Sequence, residues 1–221
     1  MKYISKLFQT TEILKMSTRT LLHNMRSFLN QPLGQRTCLA RTMASSPNAV
    51  TVYSERRRVG YTPSQMCGVV ADVASYSQFV PYCRRSVVTI QKPKMLSANL
   101  VVGFPALINL SYTSHVTILS PNLVTAVCGD VKMFKHLKTV WKFSPGSCEK
   151  SCEIDFAVSF AFTNPSHSYI ARLFLDSVVR ENVQAFIGRA ESLYGPPSLP
   201  SKTLSVLVQR QPPVEDNRLN Q

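Results

Sequence analysis

The chain has 221 residues, with 25 Lys and Arg against 12 Asp and Glu, a formal charge of +13. That length fits one core of about 150 residues with appendages better than two full domains, and such a core buries enough surface to fold alone. A hydrophobic content of 44% with 17% charged residues excludes a disordered chain and a purely electrostatic nucleic-acid binder, and only 8 glycines exclude collagen-like and most Gly-loop nucleotide architectures.

Residues 1–48 carry Lys2, Lys6, Lys15, Arg19, Arg26, Arg36 and Arg41 but a single acid, Glu12. The segment is rich in Ser and Thr, and Leu21, Leu22, Met25, Phe28 and Leu29 fall at helical spacing. An Arg-rich, acid-poor amphipathic segment reads as a mitochondrial transit peptide. Its apolar stripe binds import receptors, and its charge is drawn inward by a negative-inside potential. The alternative is a basic arm that binds anionic surfaces. Cleavage is expected within 36–48, with Met16 and Met43 as alternative starts.

From 49 to 196 the pattern is that of a folded domain, with 15 basic and 9 acidic residues. Val50–Val59 reads as a strand. Thr62-Pro63 opens a short helix through Val73, with Thr62 as N-cap and Pro63 at N1. A second short helix is expected from Ser75 to Phe79, ending at Pro81. Strands follow near 83–92, 96–103, 108–119, 123–129, 136–144 and 150–162.

Met95 to Gly129 contains no Asp, Glu, Lys or Arg, a stretch long enough for a membrane-spanning helix. Gly103, Pro105 and Pro121 interrupt it, however, and Tyr112, Ser114, Val116 and Ile118 alternate with their neighbours. Period-two alternation means strands joined by turns. In 150–162 the same alternation sets Phe156, Val158, Phe160 and Phe162 on one face.

Asn164-Pro165 starts a long helix that ends near Tyr194. Gly195-Pro196-Pro197 stops it, and 197–221 is expected to be a disordered tail. The order predicts an α+β fold: a curved antiparallel sheet with helices on one face and the long C-terminal helix laid across it.

Such a helix encloses an apolar space. Phe79, Val80, Pro81 and Tyr82 at the end of the second helix, Phe104 and Pro105 at a strand turn, and Trp141 and Phe143 on one strand face are candidate walls for a small-molecule pocket. Leu173, Phe174 and Val178 are their counterparts on the long helix. Taken singly, each of these side chains also suits plain core. The apolar residues of that helix spread over more than the roughly 100° face a core needs, so its first half is expected to touch a second subunit or a bilayer. Arg172, Leu175, Val179, Lys138 and Lys142 are the candidate membrane contacts, with solvated lysines as the plain alternative.

Catalytic motifs are missing: no nucleophile elbow, no P-loop, no G-x-G-x-x-G and no H-E-x-x-H. The six cysteines, at 38, 67, 83, 128, 148 and 152, never form C-x-x-C, so zinc has no ligand pattern. Cys148 and Cys152 flank a turn, yet free thiols are expected in a reducing compartment. His115 and His136 sit within strands, where hydrogen bonding accounts for them. Asp130 lies near His136 in sequence, with no nucleophile beside the two. No metal or catalytic cofactor is expected.

Several runs carry a resemblance: Tyr61-Thr62-Pro63-Ser64-Gln65-Met66, Tyr76 through Cys83, Leu100 through Pro105, Tyr112 through Thr117, His136 through Gly146, Asp155 through Phe162, Leu173 through Val179, and Leu193 through Pro196. Their order and spacing resemble the mitochondrial coenzyme Q-binding START-domain family over about 50–196. The resemblance implies a helix-grip fold with an apolar tunnel for ubiquinone. It also implies a peripheral location on the matrix side of the mitochondrial inner membrane. The implied role is carrying or presenting quinone for respiratory electron transport and ubiquinone biosynthesis, without converting it. The implied partners are ubiquinone, the inner-membrane lipid surface and a respiratory or quinone-synthesis complex, with no nucleic acid.

The sequence departs from the family pattern at Ala106, where a second proline is usual, and at Asn109-Leu110-Ser111, where an acidic residue usually precedes the Tyr-Thr-Ser run. The turn after Gly146 is also shorter. Pockets reach about 1,000 Å³, so the headgroup and nearer isoprenes are expected inside and the distal tail outside. Two rival readings are a ribosome- or RNA-associated protein of the same superfamily, like a bacterial ribosome-associating toxin, and a polyketide-cyclase-type enzyme.

Overall fold

In the computed structural model the described residues are 50–103, 109–129, 134–163 and 165–211; for 109–110, 165–178 and 210–211 only the backbone is described. Residues 1–49, which hold the expected transit peptide, lie outside them, as do Phe104, Pro105 and the expected N-cap Asn164. The division between compact units falls after Pro47, and the second unit runs Asn48–Gln221.

Strand β1 (Val50–Val59) is followed by helix α1 (Pro63–Ala71), a 3-10 turn (Val73–Ser75) and helix α2 (Tyr76–Phe79). Thr62 caps α1 through a reciprocal box: the Gln65 amide donates to Thr62 Oγ1 at 3.2 Å, and the Thr62 amide donates to Gln65 Oε1 at 2.9 Å. β2 (Cys83–Lys92), β3 (Met95–Gly103), β4 (Asn109–Leu119), β5 (Leu123–Cys128), β6 (Phe134–Pro145) and β7 (Cys152–Phe162) then form a meander. The long helix α3 (Pro165–Tyr194) and strand β8 (Lys202–Gln211) complete the order.

The sheet runs β2-β3-β4-β5-β6-β7-β1-β8, every described pairing antiparallel. α1 and α2 therefore carry the chain from β1 to the far edge at β2. Register shifts at Arg56/Arg57, Cys83/Arg85, Val88/Ile90 and Phe134/His136 mark irregularities of the kind that bend a sheet. The charge-free stretch from Met95 to Gly129 is β3, β4 and β5 with their connections, and no described helix is long and apolar enough to cross a membrane.

The expectation of a disordered tail over 197–221 is corrected for Lys202–Gln211, which pair with β1 from Val50 to Arg58. Gly60 makes room for the approach. A Cβ there would stand 2.5 Å from the Leu199 nitrogen, and the Ser198 amide donates to the Gly60 carbonyl at 3.0 Å. The prolines of 196–200 thus end the helix and turn the chain onto the sheet edge.

The core is most densely packed between β1, β6, β7, α1 and the second half of α3, where Tyr53, Val59, Val69, Val70, Phe143, Ile154 and Val183 are fully buried.

Candidate ligand-binding hollow

The inner face of the sheet alternates as the sequence pattern requires. On β7, Cys152, Ile154, Phe156, Val158, Phe160 and Phe162 are buried; on β4 the inward set is Tyr112, Ser114, Val116 and Ile118, and on β6 it includes Leu137, Trp141 and Phe143. Burial is not uniform across this face. Tyr112, Ile118, Ala126, Cys128 and Leu137 pack against the core yet keep accessible surface, as do Tyr76, Phe79, Val80 and Val88 toward β2. From β2 to the start of β6 these partly open positions stand among buried ones such as Leu96, Ala98, Leu100, Val116 and Val124. The candidate site, the hollow, is the inner face around these partly open side chains.

Aromatic rings form its wall. Phe186 of α3 meets Tyr76 at 5.3 Å, Phe79 at 5.2 Å and Trp141 at 4.9 Å between centroids. Trp141 in turn contacts Phe156 at 4.3 Å. At the start of β6, Phe134 meets Tyr112 at 5.6 Å and Phe162 at 4.7 Å. Edge and tilted geometries of this kind favour a fixed apolar surface.

The turn after α2 is tied to α3 by polar contacts. Tyr82, in the left-handed region at φ 65°, donates its hydroxyl to Glu181 Oε2 at 2.9 Å. Burial and the Glu181 carboxylate push the Tyr82 phenol up to about 12. Arg189 lies over the Phe79 ring at 5.4 Å and donates to Gln78 Oε1 at 3.3 Å. Two fully sealed polar atoms have no partner among the described residues, Asn182 Oδ1 and Arg189 Nε.

Behind the packed half lies a polar cluster. Glu55, 3% exposed, accepts from Tyr53 Oη at 2.9 Å and from Arg57 Nε at 2.6 Å, with Thr203 Oγ1 at 3.5 Å. Arg57 also reaches Gln184 of α3 and Ser201 ahead of β8. Every partner of Glu55 belongs to the fold, so this cluster fastens β8 and α3 to β1.

Of the expected wall residues, Phe79, Val80, Pro81 and Tyr82 are half-buried, and Phe79 and Trp141 both meet the Phe186 ring. Phe143, 1% exposed, is closed inside the packed core and presents no surface to an occupant. Phe104 and Pro105, and the side chains of Leu173, Phe174 and Val178, lie outside what is described.

The expected membrane face is corrected in two respects. Val179 is buried in the core rather than exposed. Lys138 and Lys142 are exposed on the outer face of the sheet, alternating with inward Leu137, Trp141 and Phe143, so they cannot share one plane with α3 on the inner face. The side chains of Arg172 and Leu175 lie outside the described set.

The reading of the sequence missed Tyr76, Tyr112, Phe134, Leu137 and Phe186 as neighbours of the hollow. The alternation of β4 already placed Tyr112 inward, but nothing in that pattern separates a sealed inward position from an open one.

The described cysteines, Cys67, Cys83, Cys128, Cys148 and Cys152, are free thiols. Burial pushes Cys152 up to about 12, with Glu153 adding to the shift. His136 donates to or accepts from Ser159 Oγ at 2.7 Å on the outer face, away from the hollow. No cluster of metal-ligating side chains occurs among the described residues.

Residues 59–187 match the family described as polyketide cyclase/dehydrase and lipid transport. A Xenopus laevis protein named coenzyme Q-binding protein COQ10 homolog B, mitochondrial, is 43% identical over 150 residues, 67% of this chain and 61% of its own. The chain thus spans about three-fifths of that relative. The Escherichia coli protein named ribosome association toxin RatA is 33% identical over 138 residues, 62% of this chain and 84% of its own. Among solved structures, the Zhui aromatase/cyclase of Streptomyces superposes with a TM-score of 0.54 at 17% identity, covering 64% of this chain and 94% of that one. The last likeness concerns the fold alone, a START-like sheet and helix.

Proposed function

The chain belongs to the polyketide cyclase/dehydrase and lipid transport family and, within it, resembles the mitochondrial coenzyme Q-binding proteins; on that premise we propose that it binds ubiquinone and carries it without chemical conversion. The observation that carries this reading is the aromatic hollow beside α3, lined by Tyr76, Phe79, Trp141 and Phe186 and holding no acid–base pair among its described residues. Its chemistry suits a ring with an apolar tail: hydrocarbon burial contributes about 0.8 kcal/mol per CH₂, so a few enclosed isoprene units give useful affinity and still allow release. The proposed setting is the matrix side of the mitochondrial inner membrane, as a peripheral protein. There, delivery of quinone would serve respiratory electron transport and quinone synthesis.

The test is extraction of lipid from the purified full chain, followed by mass spectrometry, and titration with a ubiquinone of two isoprene units. Trp141 is the sole tryptophan in the chain and contacts Phe186 at the edge of the hollow, so its fluorescence reports the binding. Recovery of unaltered ubiquinone with saturable quenching is expected. Absence of quinone together with a flat titration would overturn the reading.

A second reading, ribosome association, draws on the identity with the E. coli protein. It predicts binding to ribosomal subunits that weakens steeply with salt, whereas quinone binding has little salt dependence.

A further inference from the structure

Tyr112 and Ser114 project from the same inner face of β4, two residues apart and so about 7 Å apart along the strand. Ser114 is 5% exposed. Among the described residues neither hydroxyl has a hydrogen-bond partner, and the Tyr112 ring meets the Phe134 ring. The other tyrosines around the hollow are engaged: Tyr76 donates to the Val70 carbonyl at 2.5 Å, and Tyr82 to Glu181.

The strand neighbours of the two hydroxyls are apolar or weakly polar. Leu100 and Ala98 stand opposite them on β3, and Cys128 stands opposite Ser114 on β5. The Tyr112 ring is held edge-on to Phe134 at 78°, so the hydroxyl is fixed in direction without being bonded. Neither oxygen is among the sealed unpartnered atoms, so both keep access to the hollow, where an occupant with an acceptor can take their hydrogen bonds. Burial, with the Cys128 and Cys83 thiols nearby, raises the Tyr112 phenol well above its ordinary value, so it remains a protonated donor.

We infer that Tyr112, with Ser114 beside it, donates the hydrogen bond that holds a ring oxygen of the quinone headgroup against β4. This rests on the reading that the occupant of the hollow is a quinone, and it assigns the end of the ligand that β4 receives. The isoprenoid tail then lies against hydrocarbon, and selectivity for an oxygenated ring over a bare hydrocarbon resides at these two positions.

The experiment titrates the full chain, Tyr112→Phe and Ser114→Ala with the two-isoprene ubiquinone and with the same tail on a benzene ring without oxygens. Infrared spectroscopy reads the carbonyl stretch of the bound quinone. Tyr112→Phe is expected to weaken quinone binding about five- to tenfold, the scale of one hydrogen bond, and to leave the oxygen-free analogue unchanged. The carbonyl band should move toward its position in hydrocarbon solvent. Ser114→Ala should lose roughly two- to threefold. Chemical denaturation of Tyr112→Phe should match the unaltered chain, which separates a binding role from a structural one. Quinone bound by Tyr112→Phe with unchanged affinity and carbonyl band would overturn the inference while leaving the carrier reading intact. Failure of the unaltered chain to bind quinone would overturn both.

Discussion

Tyr76 and Tyr112 carry the same side chain into the same interior, yet removal of the hydroxyl should lower stability at Tyr76 and leave it nearly unchanged at Tyr112. Tyr76 is bonded to the Val70 carbonyl at the end of α1 and its ring meets Phe79 and Phe186. Removing its hydroxyl leaves that carbonyl without this donor, so Tyr76→Phe is expected to lower stability by about 1 to 2 kcal/mol in urea unfolding. Tyr112→Phe removes a hydroxyl with no partner among the described residues and should change stability by less than about 0.5 kcal/mol. His136 gives a pH signature. Burial and then Lys138 lower its pKa below the ordinary 6.5, favouring the neutral ring in the fold. Between the two values the unfolded chain binds more protons, so this contribution is present above about pH 6.5 and is lost as pH falls below it. Urea midpoints at pH 7.5 and 5.5 should differ less for His136→Gln than for the unaltered chain. An equal pH slope in the two proteins would show that the ring does not contribute.

Among the elements, the first helix was legible in the sequence because its signals are local: Thr62 is the N-cap, Pro63 stands at N1, and Gln65 completes the capping box seen in the fold. Thr62→Ala should cost about 1 kcal/mol. The strands from β1 to β7 were equally legible, since alternation at period two is written in each segment by itself. β8 was not. Lys202–Gln211 carries Leu204, Val206 and Val208 in alternation, but the polar composition and the prolines before it read as a tail, and its partner β1 lies some 150 residues earlier in sequence. What admits it is Gly60, where no side chain stands against Leu199. Gly60→Ala is expected to displace 198–200 from β1 and to cost about 1 to 3 kcal/mol, on the scale of overpacking. Truncation after Pro200 should destabilise in the same direction, because Glu55 loses Thr203 and Arg57 loses Ser201. Thermal unfolding of the two variants checks both, and an unchanged midpoint in the truncated chain would mean that β8 adds nothing to the fold.

For the whole molecule, a chain beginning at Asn48 should unfold at the same denaturant concentration as the full chain and bind quinone equally, since the compact unit starts there. The +13 total divides between a basic first 48 residues and a moderately basic remainder, whose outer sheet face already pairs Arg56 and Arg58 with Glu153, and Arg56 with Asp155. Composition alone could not show that pairing, nor that Lys138 and Lys142 face away from the helix. By itself the sequence determined the antiparallel α+β class and the order of elements from β1 to α3. Those features follow from periodicity, capping and motif order within short windows. Tertiary structure decided which inward side chains are sealed and which stay open, because that depends on how far α3 covers each strand. It placed Phe143 and Val179 in the core, set β8 against β1, and left the Tyr112 hydroxyl half-buried with no partner among the described residues. Each of these is a relation between segments distant in sequence, and no local pattern encodes the distance between them.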